Sequence, residues 1–327
     1  MESLDWLAHN PRYTARYALH IGALCRKMTV KDVAQSERLH HTTVKDLDKL
    51  YMAEQLRRHP LPATTAIGVD EIAIRKGHEY RVVVSDLVRQ RPIWFGGSGR
   101  KQTDLEQCFA AYGARRCKGI QVAVMDMWKP FREATRVFAP QAEIVFDKFH
   151  ILRHLNDALD AVRRSEYARV QGKERRFIKG SRYTLLSHRD NLDLDGRKAL
   201  TVLLAANKRL NTAYLLKESF GQLWDYEREG WARRFFENWK SGLRWQRLEP
   251  FEKFAAMIER HWEGIVSYCK PENKVSLGCV EGLNNTIRVI QRKAYGFRDE
   301  EYLAMKVITH FLPALPNHAK ITHTKPR

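Results

Sequence analysis

The chain has 327 residues and 44% hydrophobic content, enough to bury at least one substantial core and to divide into two or three domains. Its 57 Lys and Arg exceed its 38 Asp and Glu, a formal charge of +19 spread along most of the sequence, so a polyanionic partner (DNA, RNA or anionic lipid) is implied. No run of about 18 apolar residues occurs and the N-terminus lacks the apolar stretch of a signal peptide, so a cytosolic protein with no membrane partner is expected. The five cysteines are odd in number and contain no C-x-x-C pair, which argues against a disulfide framework or cysteine zinc site and predicts buried free thiols.

Helical apolar spacing in "TARYALHIGALCRK" opens the chain. The following "TVKDVAQSERLHHTTVKDLDKLYMAEQL" breaks into two pieces around Arg38 to His41, with Thr29 predicted to cap the first and Thr42 or Thr43 the second. Helix, tight turn, helix with Val33, Ala34, Leu39, Val44 and Leu47 apolar is a helix-turn-helix pattern. Contact with duplex DNA would then fall on His41, Thr42, Thr43 and Lys45 at the start of the second helix, and the block reads as self-contained. Bundles of three helices with no DNA partner share this pattern.

After the linker "RRHPLPATT" the period changes. The runs "AIGVDEIAI", "EYRVVVSDL" and "RPIWFGG" predict three strands in a meander, separated by the turns "RKGH" and "RQR". "QTDLEQCFAAYGA" reads as a helix, "GIQVAVMD" as a buried strand, "KPFREATRVF" as a helix and "AEIVFD" as another strand. A meander followed by α-β-α-β is the layout of a ribonuclease H-like α/β core. From His150 to about Ser267 the pattern is helical and strongly charged, which predicts an all-helical insertion. The expected divisions are a helix-turn-helix domain over 1–58, a linker over 59–66 and the first part of the ribonuclease H-like core over 67–150. The insertion over 151–267, the rest of the core over 268–313 and a basic tail over 314–327 complete the chain.

Asp70 sits among residues that should be buried in a strand, where an ionisable group is costly unless paired or bound to a cation. Asp126 and Asp147 end predicted strands, the positions where ligands collect in open α/β sheets. In a ribonuclease H-like arrangement the first and fourth strands are neighbours, which would bring Asp70 beside Asp126. In "GCVEGLNNTIRVIQRK", Val280, Leu283, Ile287 and Ile290 form a core-facing stripe, while Glu281, Asn285, Arg288 and Arg292 gather on the opposite side. Three converging carboxylates repel one another unless divalent metal neutralises them. Two Mg²⁺ ions about 4 Å apart would activate a nucleophile and stabilise a leaving oxygen in phosphodiester chemistry. Taken singly, each Asp is as readily structural, and Glu281 is as readily a first-turn acid that favours the helix dipole.

The segments "GVDEIAIRKGHEY", "VMDMWKPF", "IVFDKFHI", "KGSRYTLL" and above all "VEGLNNTIRVIQRKAYGFRDEEY" carry a resemblance to the DDE transposases of the ISL-three insertion-sequence family. It runs from the helix-turn-helix to about Pro313. The resemblance implies that Asp70, Asp126 and Glu281 are the catalytic and metal-binding triad, served by two Mg²⁺ or Mn²⁺ ions. Asp147 and His150 lie in a family motif as possible accessory residues. The implied activity is binding of element ends, the terminal inverted repeats, followed by DNA cleavage and strand transfer into target DNA. A homodimer or higher assembly on DNA is expected because two ends must be synapsed, in the bacterial cytoplasm and on the nucleoid when bound. Members of that family commonly carry a cysteine-rich zinc module ahead of the helix-turn-helix and this sequence shows none, which suggests a shortened copy or a different recognition of ends.

Arg288 and Arg292 share the Glu281 face, and DNA phosphate contact is expected of them. The basic stretch from Arg163 to Arg182 reads equally as a solvated face or a DNA track. Trp224, Trp231, Trp239, Trp245 and Trp262 are expected in the core of the insertion. His150 and His154 lack a third convincing ligand for zinc, and "GGSGRK" reads as a turn rather than a phosphate loop. Two other functions stay open: a structure-selective nuclease that cuts without joining, and a non-catalytic DNA-binding transposase remnant.

Overall fold

Each helical and β-branched run finds its element in the computed structural model, which describes residues 12–75, 79–274, 278–293 and 299–316. The N-terminal helices are α1 (Ala15–Cys25), α2 (Val30–Ser36) and α3 (His41–Arg58). The meander is β1 (Ala66–Arg75), β2 (Glu79–Asp86) and β3 (Arg91–Gly96), and the predicted turn at 76–78 lies outside the described residues. Next come α4 (Gln102–Tyr112), α5 (Ala114–Cys117), β4 (Val122–Met125), α6 (Lys129–Phe138) and β5 (Glu143–Phe146). The helical stretch holds α7 (Lys148–Arg169), α8 (Gly172–Gly180), α9 (Arg182–Leu186), α10 (Leu194–Ala206) and α11 (Lys208–Phe220). It continues through α12 (Glu229–Leu243), α13 (Glu249–Arg260) and α14 (Trp262–Val266), and no strand interrupts it among the described residues. The chain closes with α15 (Gly278–Lys293) and α16 (Glu300–His310). The expected basic tail lies outside the described residues from 317 onward.

The five strands form one mixed sheet in the order β3-β2-β1-β4-β5, with β1 antiparallel to β2 and β2 to β3. The first and fourth strands are therefore neighbours, as the layout of runs implied. The chain divides into two compact units, one of 1–123, 129–142 and 278–327, the other of 124–128 and 143–277.

In the first unit the alternation of a β-strand sends Gly68, Asp70 and Ile72 to one face of β1. That face meets α15. A Cβ on Gly68 would stand 3.1 Å from Val280, Asn284 bonds to Asp70, and Ile287 and Ile290 pack with Ile72, Val83 and Phe95. Leu303 and Val307 of α16 join the same cluster. The apolar stripe of α15 is thus what fixes the helix on the sheet. After β3, the buried Asp104 closes the "GGSGRK" turn by accepting from Ser98 N and Lys101 N, each at 2.8 Å, while Gly97 takes φ +78 against it. This is a turn with its own carboxylate, as expected, and no phosphate loop.

The helix-turn-helix geometry corrects one capping expectation. Thr29 caps α2 by accepting from Asp32 N at 3.1 Å, but α3 begins at His41 with His40 as its N-cap, ahead of Thr42 and Thr43. The reason lies in the turn. Arg38 adopts φ 54, and Leu39 N reaches back to Ala34 O at 2.9 Å, the Schellman closure of a helix end usually made by Gly. That tight stop lets the next helix start earlier than the threonines suggest.

The three helices share their core with the C-terminal segment, since Leu315 packs among Leu19, Ile21, Val44 and Tyr51. Buried Asp48 of α3 accepts from Tyr302 and pairs with Lys306 at 2.5 Å, and burial pushes its carboxyl up despite Lys306. Arg26 donates to the last carbonyls of α16 and to the turn beyond it, Thr309 at 3.1 Å and Leu312 at 3.0 Å, and Gln55 donates to Pro313 at 2.7 Å. Removing one partner from a buried ion pair typically costs ~3–5 kcal/mol. The helix-turn-helix block is therefore completed by residues some 250 positions away, rather than being self-contained.

The second unit is built on aromatic packing. Phe220 meets Trp239 at 5.0 Å and Phe254 at 4.9 Å, and Phe236 stacks on Trp262 at 5.2 Å. Trp224, Trp239 and Trp262 are buried as expected, but Trp231 and Trp245 are 55% and 79% exposed. Their exposure corrects the expectation of core packing: Trp231 begins α12 and Trp245 follows its end, beyond the buried stripe formed by Ala232, Phe236, Trp239 and Leu243. Within the Arg163–Arg182 stretch, buried Arg163 pairs with Asp160 at 2.7 Å and exposed Arg169 with Glu166 at 3.1 Å. Cys25, Cys108, Cys117 and Cys269 are buried free thiols, and burial pushes Cys25 up to about 12.

Candidate catalytic carboxylates and nucleic-acid interface

Asp70 stands in mid-strand opposite Val83, half-buried. Its Oδ1 accepts from Glu71 N at 2.8 Å, and its Oδ2 accepts from Asn284 Nδ2 at 2.5 Å. Asn284 is itself buried on α15, three residues after Glu281. Glu281 occupies the first turn of that helix and is exposed. The structure thus brings Asp70 against the helix that bears Glu281, with Asn284 as the link between strand and helix. Sequence reasoning passed over Asn284. The signal was there, because 40° of helical rotation separates it from Val280, so it belongs to the apolar sector where a polar side chain needs a partner.

In the second unit, Asp126 follows β4 and turns its Oδ1 to Trp128 N at 2.9 Å. Asp147 follows β5, and its N–H donates to Met125 O at 2.8 Å, so the two strand ends lie together. Asp147 caps α7 through Phe149 N at 2.8 Å and holds His150 Nδ1 at 2.8 Å. That gives His150 an orienting acid. Burial lowers the His154 pKa, partly offset by Asp157 and Asp126, so His154 lies within the field of Asp126 and favours its neutral form. Among the described residues no three His, Cys, Asp or Glu side chains are gathered as a metal-holding group.

The candidate DNA contacts fall into two sets. His41 is the exposed first residue of α3, Thr42 Oγ1 sits 2.8 Å from His40 Nδ1, and Thr43 is half-buried. Lys45 differs from them, being paired with Asp299 at 2.6 Å and lying 5.4 Å from the Tyr302 ring centroid. Lys49 joins the same carboxylate at 3.1 Å. On α15, Arg288 and Arg292 are exposed on the side away from the sheet, with Arg288 donating to Asn285 at 3.0 Å.

A helix-turn-helix pattern is one that contacts DNA in many proteins, and the carboxylates at the ends of β4 and β5 lie where ligands collect in α/β sheets. Comparison with known proteins gives the class directly. The model of the helix-turn-helix domain of transposase family ISL3 matches residues 2–52, and the DDE transposase model of that family, described as "Transposase", matches residues 67–307. The chain is 34% identical over 314 residues to the transposase for insertion sequence element IS1001 of Bordetella parapertussis, covering 95% of this chain and 77% of that one. It is 27% identical over 350 residues to the transposase for insertion sequence element IS1557 of Mycobacterium tuberculosis, covering 98% of this chain and 78% of that one. The chain belongs to the ISL3 family of DDE transposases. Its function is that of an insertion-sequence transposase, and its helix-turn-helix domain implies DNA binding. No helix among the described residues is long and apolar enough to cross a membrane.

Proposed function

We propose that Asp70, Asp126 and Glu281 are the catalytic triad, set on a ribonuclease H-like core, and that they act on the terminal inverted repeats of the element from which the chain derives. The observation that carries this reading is the Asn284–Asp70 bond, which ties the strand carboxylate to the Glu281 helix inside the region matched to the transposase family. A polar residue buried on an otherwise apolar helix face and spent on holding one carboxylate has a clear use if that carboxylate must be oriented.

The donor set fits a hard divalent cation. Carboxylate oxygens suit Mg²⁺ or Mn²⁺, and the three residues carry the negative charge that such ions neutralise. When bound, two such ions would lower the pKa of the attacking hydroxyl and neutralise charge on the leaving oxygen. Asp70, Glu281 and Asp126 would present carboxylate oxygens from strand, helix and strand end. In the first step a water oxygen bonds to phosphorus at the element end and the 3′-oxygen leaves, taking a proton to become a 3′-hydroxyl. In the second step that hydroxyl oxygen bonds to a target phosphorus, the target 3′-oxygen leaves, and the released proton balances the exchange. His150, oriented by Asp147, would serve as an accessory proton carrier.

Arg288 and Arg292 would hold phosphates flanking the scissile bond, and His41, Thr42 and Thr43 would face the groove at the start of α3. Lys45 would reach DNA only by exchanging Asp299 for a phosphate. Two ends must be paired for joining, which favours a dimer or larger assembly on DNA. The triad is tested by Asp70→Asn, Asp126→Asn and Glu281→Gln with the DNA flanking its own gene, Mg²⁺ present. Each variant should lose cleavage while keeping its fold and duplex affinity, because a neutral isostere keeps shape and loses ligand charge. Wild-type cleavage by any variant removes that residue from the triad.

A further inference from the structure

A cavity of about 920 Å³ lies within the first unit, between the helix-turn-helix and the pair α15 and α16. Its size falls in the range of about 300–1,000 Å³ usual for small-molecule sites. Its floor includes Asp48 and Gln55, both fully buried, whose Oδ1 and Oε1 have no hydrogen-bond partner among the described residues. Two buried acceptors without a donor are costly, and they define what they want: N–H groups. Tyr51, Met52, Ile290 and Tyr302 supply apolar and aromatic wall. Lys31, Arg292 and Lys293 also line the cavity and are exposed, against the exposed carboxylate of Asp32, which leaves its mouth net cationic.

These three features select a ligand together. The acceptors at the floor call for a donor, but Lys306 and Arg26 already bring positive charge to the same cavity, which disfavours a cationic donor. A neutral N–H on a flat ring suits the floor and walls, and an anion attached to that ring suits the mouth. A nucleotide has this distribution of groups. We propose that the cavity receives the base of one unpaired nucleotide of the bound DNA, its ring N–H or amino group donating to Asp48 Oδ1 and Gln55 Oε1 and its phosphates lying on Lys31, Arg292 and Lys293. The site rests on the transposase reading of the chain, and joins the recognition helix α3 to the Glu281 helix α15 through one strand of DNA.

The probes are four duplexes of one sequence: fully paired, with one unpaired deoxycytidine, with one unpaired thymidine, and with an abasic residue at that place. Binding to the full chain is followed by fluorescence anisotropy. The deoxycytidine duplex should bind at least about tenfold tighter than the paired and abasic ones, with thymidine between, because the cytosine amino group offers two hydrogens to two acceptors. Val289 lines the mouth and is 45% exposed, so Val289→Trp fills the entrance without disturbing the core. That variant should lose the preference and keep paired-duplex affinity. Equal affinity of the wild type for all four duplexes, or a full preference kept by Val289→Trp, overturns the proposal. Failure to bind even the paired duplex would instead remove the DNA-binding reading, and the cavity proposal with it.

Discussion

Asn284 is where strand chemistry and helix chemistry meet. Its amide N–H holds one oxygen of Asp70, so the carboxylate keeps one orientation. Two substitutions separate orientation from charge. Asn284→Leu should reduce DNA cleavage at least about tenfold, since a displaced catalytic group loses rate steeply, while duplex affinity stays unchanged. Asn284→Asp would set a like charge beside Asp70 and raise its pKa, moving the acid limb of the cleavage profile to higher pH. Unchanged cleavage in both variants would make the bond a packing feature. The arginines on the far side of α15 pose a related choice, for an exposed charge pairing only with its neighbours contributes about 0–1 kcal/mol. Arg288→Ala combined with Arg292→Ala should cut cleavage at least about tenfold and flatten the dependence of DNA affinity on salt, with melting temperature little changed. A double variant with wild-type cleavage and salt slope would show that both cations serve the helix alone.

At the scale of elements, the docking of α3 on α16 depends on charge. Lys45, the N–H of Tyr302 and Lys49 hold the Asp299 carboxyl well below the usual carboxylate range, against a smaller opposing effect of burial. A value depressed in the folded state gives stability that is fully present above the unfolded value of about 3.9 and is lost as pH falls through the folded one. Asp299→Asn should therefore lower the melting temperature at neutral pH and lose less stability than the wild type as pH falls below about 4. Parallel acid limbs for the two proteins would contradict this role. Much of this level was legible in the sequence. Period-two and period-3.6 patterns gave every strand and most helices their place because each buries one face, and the stripe Leu283, Ile287, Ile290 is buried as read. Other features were hidden by long range or by backbone. Asp48 shows no sign of its partners in the primary structure, because Tyr302 and Lys306 lie more than 250 residues on. The start of α3 was misread because Arg38 takes a left-handed φ that its side chain does not advertise. Trp231 and Trp245 were misplaced because residue type alone does not tell a tryptophan inside the buried stripe from one at a helix end.

At the scale of the whole molecule, membership of the ISL3 family joins a DNA-binding helix-turn-helix to a domain whose family cleaves DNA and transfers strands. The helix-turn-helix is bound into the first unit by the C-terminal segment through Arg26, Gln55 and Leu315, so DNA recognition and the Asp70 strand belong to one folded body. The candidate carboxylates were legible because an Asp in a buried strand and Asp residues ending strands stand out against apolar neighbours. The link from Asp70 to the Glu281 helix through Asn284 was not, since it needs the helix and strand in three dimensions. The central claim is that this chain cuts and joins DNA through Asp70, Asp126 and Glu281. It is tested most directly by incubating the purified protein with the DNA ends flanking its own gene and a supercoiled target, with and without Mg²⁺, and measuring covalent joining. Joined products that require Mg²⁺ and disappear in Asp70→Asn, Asp126→Asn and Glu281→Gln are predicted; cleavage without joining, or joining that survives in any of the three variants, would contradict the account.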